Sequence, residues 1–295
     1  MIKKTIVYFF LILVVYSIVI MKVDPSIQVS QHQWQDNVIK AQNFIYNFNS
    51  DIYPNVIVGS SLSNRLVMDS LKGYFNLSFV GLSISDGLII LNHSKNLPKN
   101  VFIEINESFK KEDKNFTSSL FNPFLYCLRK YIPSVRDGKQ PIAIAGKLVL
   151  DIKGRIVGTK TQTSAKSTVN KIDSKQGDEL FLNLLNGEAK AYSKSPSPQL
   201  LEEIFNKLHT YIEFLRKKGV NIFFFEMPVD NKLCSLPLSV TIRETFYKNF
   251  PAKYYNYIPQ PNCSEYKTTD GIHLDEESAL GYTIYFKEKT KNYSR

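Results

Sequence analysis

Apolar and polar positions along this chain fall into blocks whose period changes in a regular way. Val56, Ile57 and Val58 form a β-branched run closed by Gly59, which predicts a strand buried on both faces. A helix is expected over Ser63–Leu71 and a strand over Tyr74–Val80. Then come a helix over Asp86–Ser94, carrying Leu88, Ile89 and Leu91, and a third strand over Asn100–Ile105. Further on, Leu200, Leu201, Ile204, Leu208, Ile212 and Leu215 recur at helical spacing, and Lys217-Lys218-Gly219 closes that helix over Gln199–Lys218. Val220–Met227 reads as a buried strand stopped by Pro228. A helix near Ser239–Asn249, a short strand near Tyr254–Tyr257 and a last helix over Asp275–Lys289 follow, with Glu276 and Glu277 in the favourable first turn of the last. Strand and helix alternating in this way predict an α/β fold with a parallel sheet covered by helices.

Three stretches stand outside that alternation. Thr5 to Met21 is an uncharged apolar run behind Lys3 and Lys4, at the lower length limit for a membrane span. The two lysines in front and the long domain behind predict an N-terminus in the cytoplasm and the rest outside it. An uncleaved anchor is favoured over a cleaved signal peptide, because no small-x-small site follows the run. In the second stretch, Val38, Ile39, Ala41, Phe44 and Ile45 share one helical face, which predicts a helix leading to the first strand. The third runs from Lys110 to Pro198. It holds a predicted helix near Ser118–Tyr131 and then Gly-, Ser-, Thr- and Lys-rich sequence from Lys153 to Gly177, too long for a loop and too polar for a core. It is expected to be an insertion with some helix and a flexible middle, either a lid or docking surface or a solvated excursion. The expected division is an anchor over 1–22, a leading helix and linker over 23–54, and an α/β domain over 55–295 with its insertion at 110–198.

Composition narrows the picture. Hydrophobic residues make up 43% of 295, enough for one large domain or two small ones. The net charge of +10 suits an anionic membrane surface, an acidic polymer or nucleic acid. No helix-turn-helix, zinc-knuckle or RNA-binding aromatic motif is present, so nucleic acid is not expected as a partner. Of three cysteines, Cys234 and Cys263 lie close enough in sequence to pair in an oxidising compartment, and Cys127 is expected as a buried small hydrophobe. No CxxC or His-rich spacing points to a metal, and no cofactor is expected.

Candidate chemistry sits at two places. Ser60 and Ser61 follow the first strand, where open α/β sheets present side chains to ligands; either could also simply cap a following helix. Near the far end, Asp270-Gly-Ile-His273 precedes the last helix. An Asp three residues before a His can reach the near ring nitrogen and leave the other free to take a proton from a serine. His32, His93 and His209 lack such a setting.

In these blocks the chain resembles the SGNH or GDSL hydrolases. The first block of that superfamily is a strand followed by Gly-Asp-Ser, and here it reads Gly59-Ser60-Ser61. The resemblance makes Ser61 the nucleophile, with Ser60 the second choice. Asn76-Leu-Ser-Phe-Val-Gly81 resembles the second block and offers Gly81 to the oxyanion. Asn106 aligns with the asparagine of the third block, although Glu104-Ile-Asn106-Glu107 departs from Gly-x-Asn-Asp on both sides. Asp270 and His273 match the final block fully. Ser60, when not the nucleophile, is grouped with Gly81 and Asn106 on the oxyanion and substrate side. The resemblance covers about Asn55–Asn106 and Val220–Lys289.

It implies a flavodoxin-like three-layer sandwich and acyl-ester chemistry through an acyl-serine, without metal or cofactor. Relatives with one N-terminal span act in alginate O-acetylation and teichoic-acid D-alanylation. The expected function is therefore O-acetyl ester hydrolysis or O-acyl transfer on a cell-envelope polysaccharide. The expected partners are that polymer, a multi-span membrane protein that delivers the acyl donor, and the inner membrane through the N-terminal helix. A non-catalytic glycan-binding or assembly protein on the same fold is the alternative.

Overall fold

A computed structural model of the chain describes residues 2–22, 29–30, 32–141, 144, 146 and 174–293. In chain order the elements are α1 (Ile2–Lys22), α2 (Gln33–Asn47), β1 (Asn55–Val58), β2 (Tyr74–Asn76), α3 (Ile84–His93), β3 (Asn100–Glu104), α4 (Lys114–Phe121) and α5 (Pro123–Tyr131). They continue with α6 (Ser174–Tyr192), α7 (Pro198–Lys217), β4 (Asn221–Phe225), α8 (Asn231–Cys234), α9 (Pro237–Asn249), β5 (Asn256–Tyr257) and α10 (Glu276–Thr290). The chain divides into two compact units. One holds Met1–Asn47 and Ser118–Asn170, the other Phe48–Thr117 and Lys171–Arg295. The leading helix and residues 118–170 of the insertion thus belong to one unit, while the insertion's start at 110–117 and its last helix, α6, belong to the sheet unit. The Ser/Thr/Lys-rich middle of the insertion, residues 153–173, lies outside the described residues.

The sheet unit carries five parallel strands in the order β2-β1-β3-β4-β5. Alternation along the strands assigns the layers. Ile57 pairs with Phe102 and Phe102 with Phe223, and Phe286 of α10 packs edge-on against Phe102 at 5.4 Å and Phe225 at 5.0 Å. The intervening residues face the other way. A Cβ on Gly87 of α3 would lie 2.7 Å from Val58 Cγ1, and Phe224 packs 5.2 Å from Phe246 of α9, which meets Phe205 of α7 at 4.9 Å. Helix α10 therefore covers one face, and α3, α7 and α9 the other. All five residues of β3 are buried, as a strand covered on both faces requires.

Three predicted elements differ from the structure. Ser63–Leu71 is two 3-10 turns, Ser63–Arg65 and Met68–Ser70, and not an α-helix. Leu66 is extended between them, and the Val67 N–H is taken by Thr283 Oγ1 at 3.0 Å in place of an i−4 carbonyl. The second strand is shorter than Tyr74–Val80, although the Leu77 and Phe79 N–H groups still reach the Ile57 and Gly59 carbonyls. The helix expected over Ser118–Tyr131 is two helices, broken where Asn122 caps α5 ahead of Pro123.

In the other unit, α1 is long and apolar enough over Ile2–Ile20 to cross a membrane. Near its end Ser17 Oγ lies 2.7 Å from Ser134 Oγ, and the Tyr16 hydroxyl donates to the Lys139 carbonyl. Asp137 ties this segment to α2 and α5. It accepts from Gln42 Nε2 at 2.6 Å and pairs with Arg129 at 3.2 Å. Cys127 is exposed on α5, against the expectation that it is buried. The apolar burial that would favour an inward thiol is absent because α5 turns Tyr126 and Arg129 inward instead.

Candidate functional site

The sheet changes direction at its centre. From β1 the chain goes to β2 on one side and then crosses to β3 on the other, which opens a crevice beyond the carboxyl ends of β1 and β3. Both loops of interest leave from that edge. Gly59 follows β1, and a Cβ there would lie 2.8 Å from Glu104 Cβ and meet the Ser63 hydroxyl, so the turn has room for glycine alone. Glu104, at the end of β3, is fully buried and accepts three hydrogen bonds from this turn. They come from Ser60 N at 2.9 Å, Ser60 Oγ at 2.7 Å and Ser63 N at 3.0 Å. Burial pushes the Glu104 carboxyl up, and the serine donors pull it partly back. A carboxyl so placed costs free energy unless its oxygens are bonded, which is why all three donors converge on it.

With Ser60 turned down to Glu104, the next side chain comes to the surface of the crevice. Ser61 Oγ lies 2.8 Å from His273 Nε2, and His273 Nδ1 lies 2.7 Å from Asp270 Oδ2. The other Asp270 oxygen accepts from the Ile272 and His273 N–H groups at 3.1 and 2.8 Å. Burial alone would raise the Asp270 carboxyl, but these bonds outweigh it and hold it below its ordinary value. An ionised carboxylate can only accept, so Nδ1 carries the ring proton and Nε2 is left to accept from Ser61.

The histidine loop is hung from its neighbours. Asp230 N donates to the Gly271 carbonyl at 2.7 Å, Thr269 N to the His273 carbonyl at 2.8 Å, and Gly271 has φ +103°, a conformation that suits glycine. Behind it Cys234 and Cys263 form a disulfide, with Cα atoms 6.7 Å apart, that joins α8 to the 3-10 turn Cys263–Glu265. Asp275 caps α10 by accepting from Ser278 N at 2.8 Å.

The remaining predicted residues fall as follows. Gly81 has φ +78° and lies two residues beyond Phe79, whose N–H reaches the Gly59 carbonyl. Asn106 is committed to the neighbouring strand end. Its Oδ1 accepts from Met227 N at 2.8 Å, and its Nδ2 donates to the Met227 carbonyl at 2.9 Å. The structure thus brings Ser61, Asp270 and His273 together, sets Ser60 on Glu104, and ties Asn106 to the end of β4.

Sequence reasoning missed two contributors. Glu104 had a signal, an acidic residue closing the apolar run Val101-Phe-Ile-Glu104. Helix α6 had none. Its Leu185 Cδ1 would lie 3.0 Å from a Cβ on Gly271, so the insertion's last helix packs on the histidine loop. One turn on, Glu188 is pushed up by burial and by the Asp270 and Glu107 carboxylates. Tyr192 lines a water-sized cavity of about 10 Å³ with Asn106, Glu226 and Arg243. Among the described residues no group of His, Cys, Asp and Glu side chains is placed to hold a metal ion. Comparison of the sequence with family models and with curated proteins finds no match.

Proposed function

We propose that this chain is a membrane-anchored serine acyl-ester enzyme of the SGNH type, with Ser61 as nucleophile, His273 as base and Asp270 as the group that orients it. The observation that carries the reading is the unbroken relay Ser61 Oγ–His273 Nε2 and His273 Nδ1–Asp270 Oδ2, both links under 3 Å, on two loops 212 residues apart. The strand order 2-1-3-4-5, common to flavodoxin-like sheets, agrees with it.

In the reaction Ser61 Oγ bonds to the ester carbonyl carbon as its proton passes to His273 Nε2. The C–O bond to the sugar then breaks, and the leaving oxygen takes that proton. Water, or a second sugar hydroxyl, next gives its proton to His273 and attacks the acyl carbon; the bond to Ser61 Oγ then breaks, and Oγ takes the proton back from His273 Nε2. Gly81 N–H, Ser61 N–H and the second amide hydrogen of Asn106 are the proposed oxyanion donors. The substrate class is an acyl ester on a cell-envelope polysaccharide, reached from the extracytoplasmic side with the N-terminus in the cytoplasm. A transferase of this type would draw its acyl group from a multi-span membrane protein.

A second reading, a non-catalytic glycan-binding or assembly protein, is favoured by one observation: the Asn106 side chain is already held by Met227. A serine-directed phosphonate, applied to the full chain in mild detergent alongside a small acetyl ester assay, separates the two. The expected result is one adduct, mapped to Ser61 by mass spectrometry, with loss of ester turnover. An adduct on Ser60 reverses the assignment. No adduct and no turnover supports the binding protein.

A further inference from the structure

Helix α5 is turned inside out. Along its nine residues, Tyr126 and Arg129 face the body of their unit. The Tyr126 ring packs tilted against Tyr46 with centroids 5.6 Å apart, and Arg129 donates to the Ser119 carbonyl at 2.9 Å while pairing with Asp137. The opposite stripe, at positions i, i+3, i+4 and i+7, is Phe124, Cys127, Leu128 and Tyr131. Phe124 is 73% exposed and Tyr131 70%, and Leu125 beside them is also exposed. A helix of a water-soluble domain puts its apolar stripe inward. Here Tyr126 and Arg129 are turned inward, while Phe124, Cys127 and Tyr131 are exposed and Leu128 is half-buried.

The same unit shows what covers that stripe. Three residues after Tyr131, Ser134 is bonded to Ser17, and Lys139 accepts from Tyr16. Both partners lie in the last turns of α1, inside the Ile2–Ile20 stretch that is apolar enough to cross a bilayer. Ser17 is three residues from Ile20, or about 4.5 Å along the helix axis. Residues 134–139 are therefore held at the level where a span leaves the hydrocarbon. Tyr131 lies within roughly 11 Å of that level by chain reach alone. Aromatic side chains collect at that boundary, where one end is apolar and the other wet. A second copy of the chain fits the stripe less well. Phe124 and Tyr131, 73% and 70% exposed, offer roughly 110–180 Å² each of the roughly 150–250 Å² that such side chains bury. Even with Cys127 and the half-buried Leu128, the stripe falls short of the roughly 800 Å² per partner of a stable interface.

We propose that α5 is an interfacial helix whose Phe124–Leu128–Tyr131 stripe lies in the headgroup boundary of the membrane that α1 crosses. The inference rests on α1 being a membrane span and is independent of the chemistry proposed for Ser61. Helix and span together fix their unit to the membrane surface at two points.

Tryptophan probes test it. In a Trp34→Phe background, Leu11→Trp, Phe124→Trp or Tyr254→Trp is introduced singly into the full chain, which is reconstituted into phosphatidylcholine vesicles. The lipids carry bromine near the headgroup or near the tail end of the acyl chain. Tyr254 is 63% exposed on the sheet unit, so the probe placed there is the control for water. The α5 probe, Phe124→Trp, should be blue-shifted and lose most of its emission to bromines near the headgroup. The span probe, Leu11→Trp, should be quenched by the deeper bromines, and the control, Tyr254→Trp, should not be quenched at all. An α5 probe quenched no more than the control, while the span probe is quenched, overturns the interfacial helix and leaves the span intact. An unquenched span probe removes the span and the proposal with it. An α5 probe shielded from aqueous iodide but not quenched by brominated lipid means that protein covers the stripe, and this too overturns the proposal.

Discussion

The two loops that meet at Ser61 and His273 are each held by a carboxylate, and the two carboxylates live in opposite surroundings. Glu104 is buried, accepts from two backbone N–H groups and a serine hydroxyl, and is pushed up by burial. Asp270 is part-exposed, accepts from two backbone N–H groups and an imidazole, and is held below its ordinary value because those bonds outweigh its burial. The difference separates shape from charge. The serine turn needs acceptors in fixed positions, and a neutral group with the same outline can supply most of them. The histidine loop needs a negative charge, because only an ionised acceptor fixes the ring proton on Nδ1 and stabilises the imidazolium that forms when Ser61 reacts.

Asp270→Asn gives the strongest test. An amide can donate to Nδ1, which moves the ring proton to Nε2 and points a donor at Ser61. Ester turnover should fall about 10⁴-fold with little change in KM, read on a small acetyl ester. A loss near tenfold would mean that Asp270 only orients the ring and that charge is dispensable on this side as well.

Glu104 should behave differently in its two substitutions. Glu104→Ala leaves the Ser60 and Ser63 N–H groups buried without acceptors, a cost of roughly 2–6 kcal/mol in unfolding free energy. Glu104→Gln keeps one oxygen where Oε2 accepts from both N–H groups, and its amide nitrogen can donate to a Ser60 hydroxyl rotated to accept. Its cost should stay under about 1.5 kcal/mol, with the Ser61 adduct retained. Equal damage from Gln and Ala would show that the serine turn also needs charge, and the contrast between the loops would fail.

The sheet and most of its helices were legible because their periods are strong. The residues of α7 repeat at helical spacing and occupy Pro198–Lys217, within one residue of the expected range. Turn position and spacing offered Ser60 or Ser61 after the first strand and the Asp270–His273 pair before the last helix. That Ser61 is the serine to meet His273 was an expectation from the resemblance to the SGNH blocks. Ser63–Leu71 misled because Leu66 and Leu71 suit a helix, while the actual partner of Val67 is Thr283, far off in sequence. Cys127 misled because a free cysteine was expected to act as a small buried hydrophobe, whereas α5 leaves it exposed. Glu104 showed locally only as an acidic residue closing an apolar run; its role went unread because its three donors lie on another strand's loop.

The smallest effect carries the comparison into pH. Asp270 is lowered from an ordinary value of 3.8, so the unfolded chain binds its proton more readily than the folded one. Its stabilising share is present above 3.8 and is lost as pH falls through the lower folded value. Glu104 is raised from 4.5, so the folded chain holds the proton more tightly. Its share is present below 4.5 and is lost as pH rises through the folded value. Unfolding midpoints of the full chain in mild detergent, from about pH 3 to about pH 8, should therefore diverge between the variants. The deficit of Asp270→Asn relative to the unsubstituted chain should be largest near neutral pH and shrink toward acid. That of Glu104→Gln should be largest in acid and shrink toward neutral, because the amide has no proton to lose. Slopes of the same sign would mean that both carboxylates sit in like surroundings. The Glu104 side would then be the one to revise, since three neutral donors could together hold its ionised form.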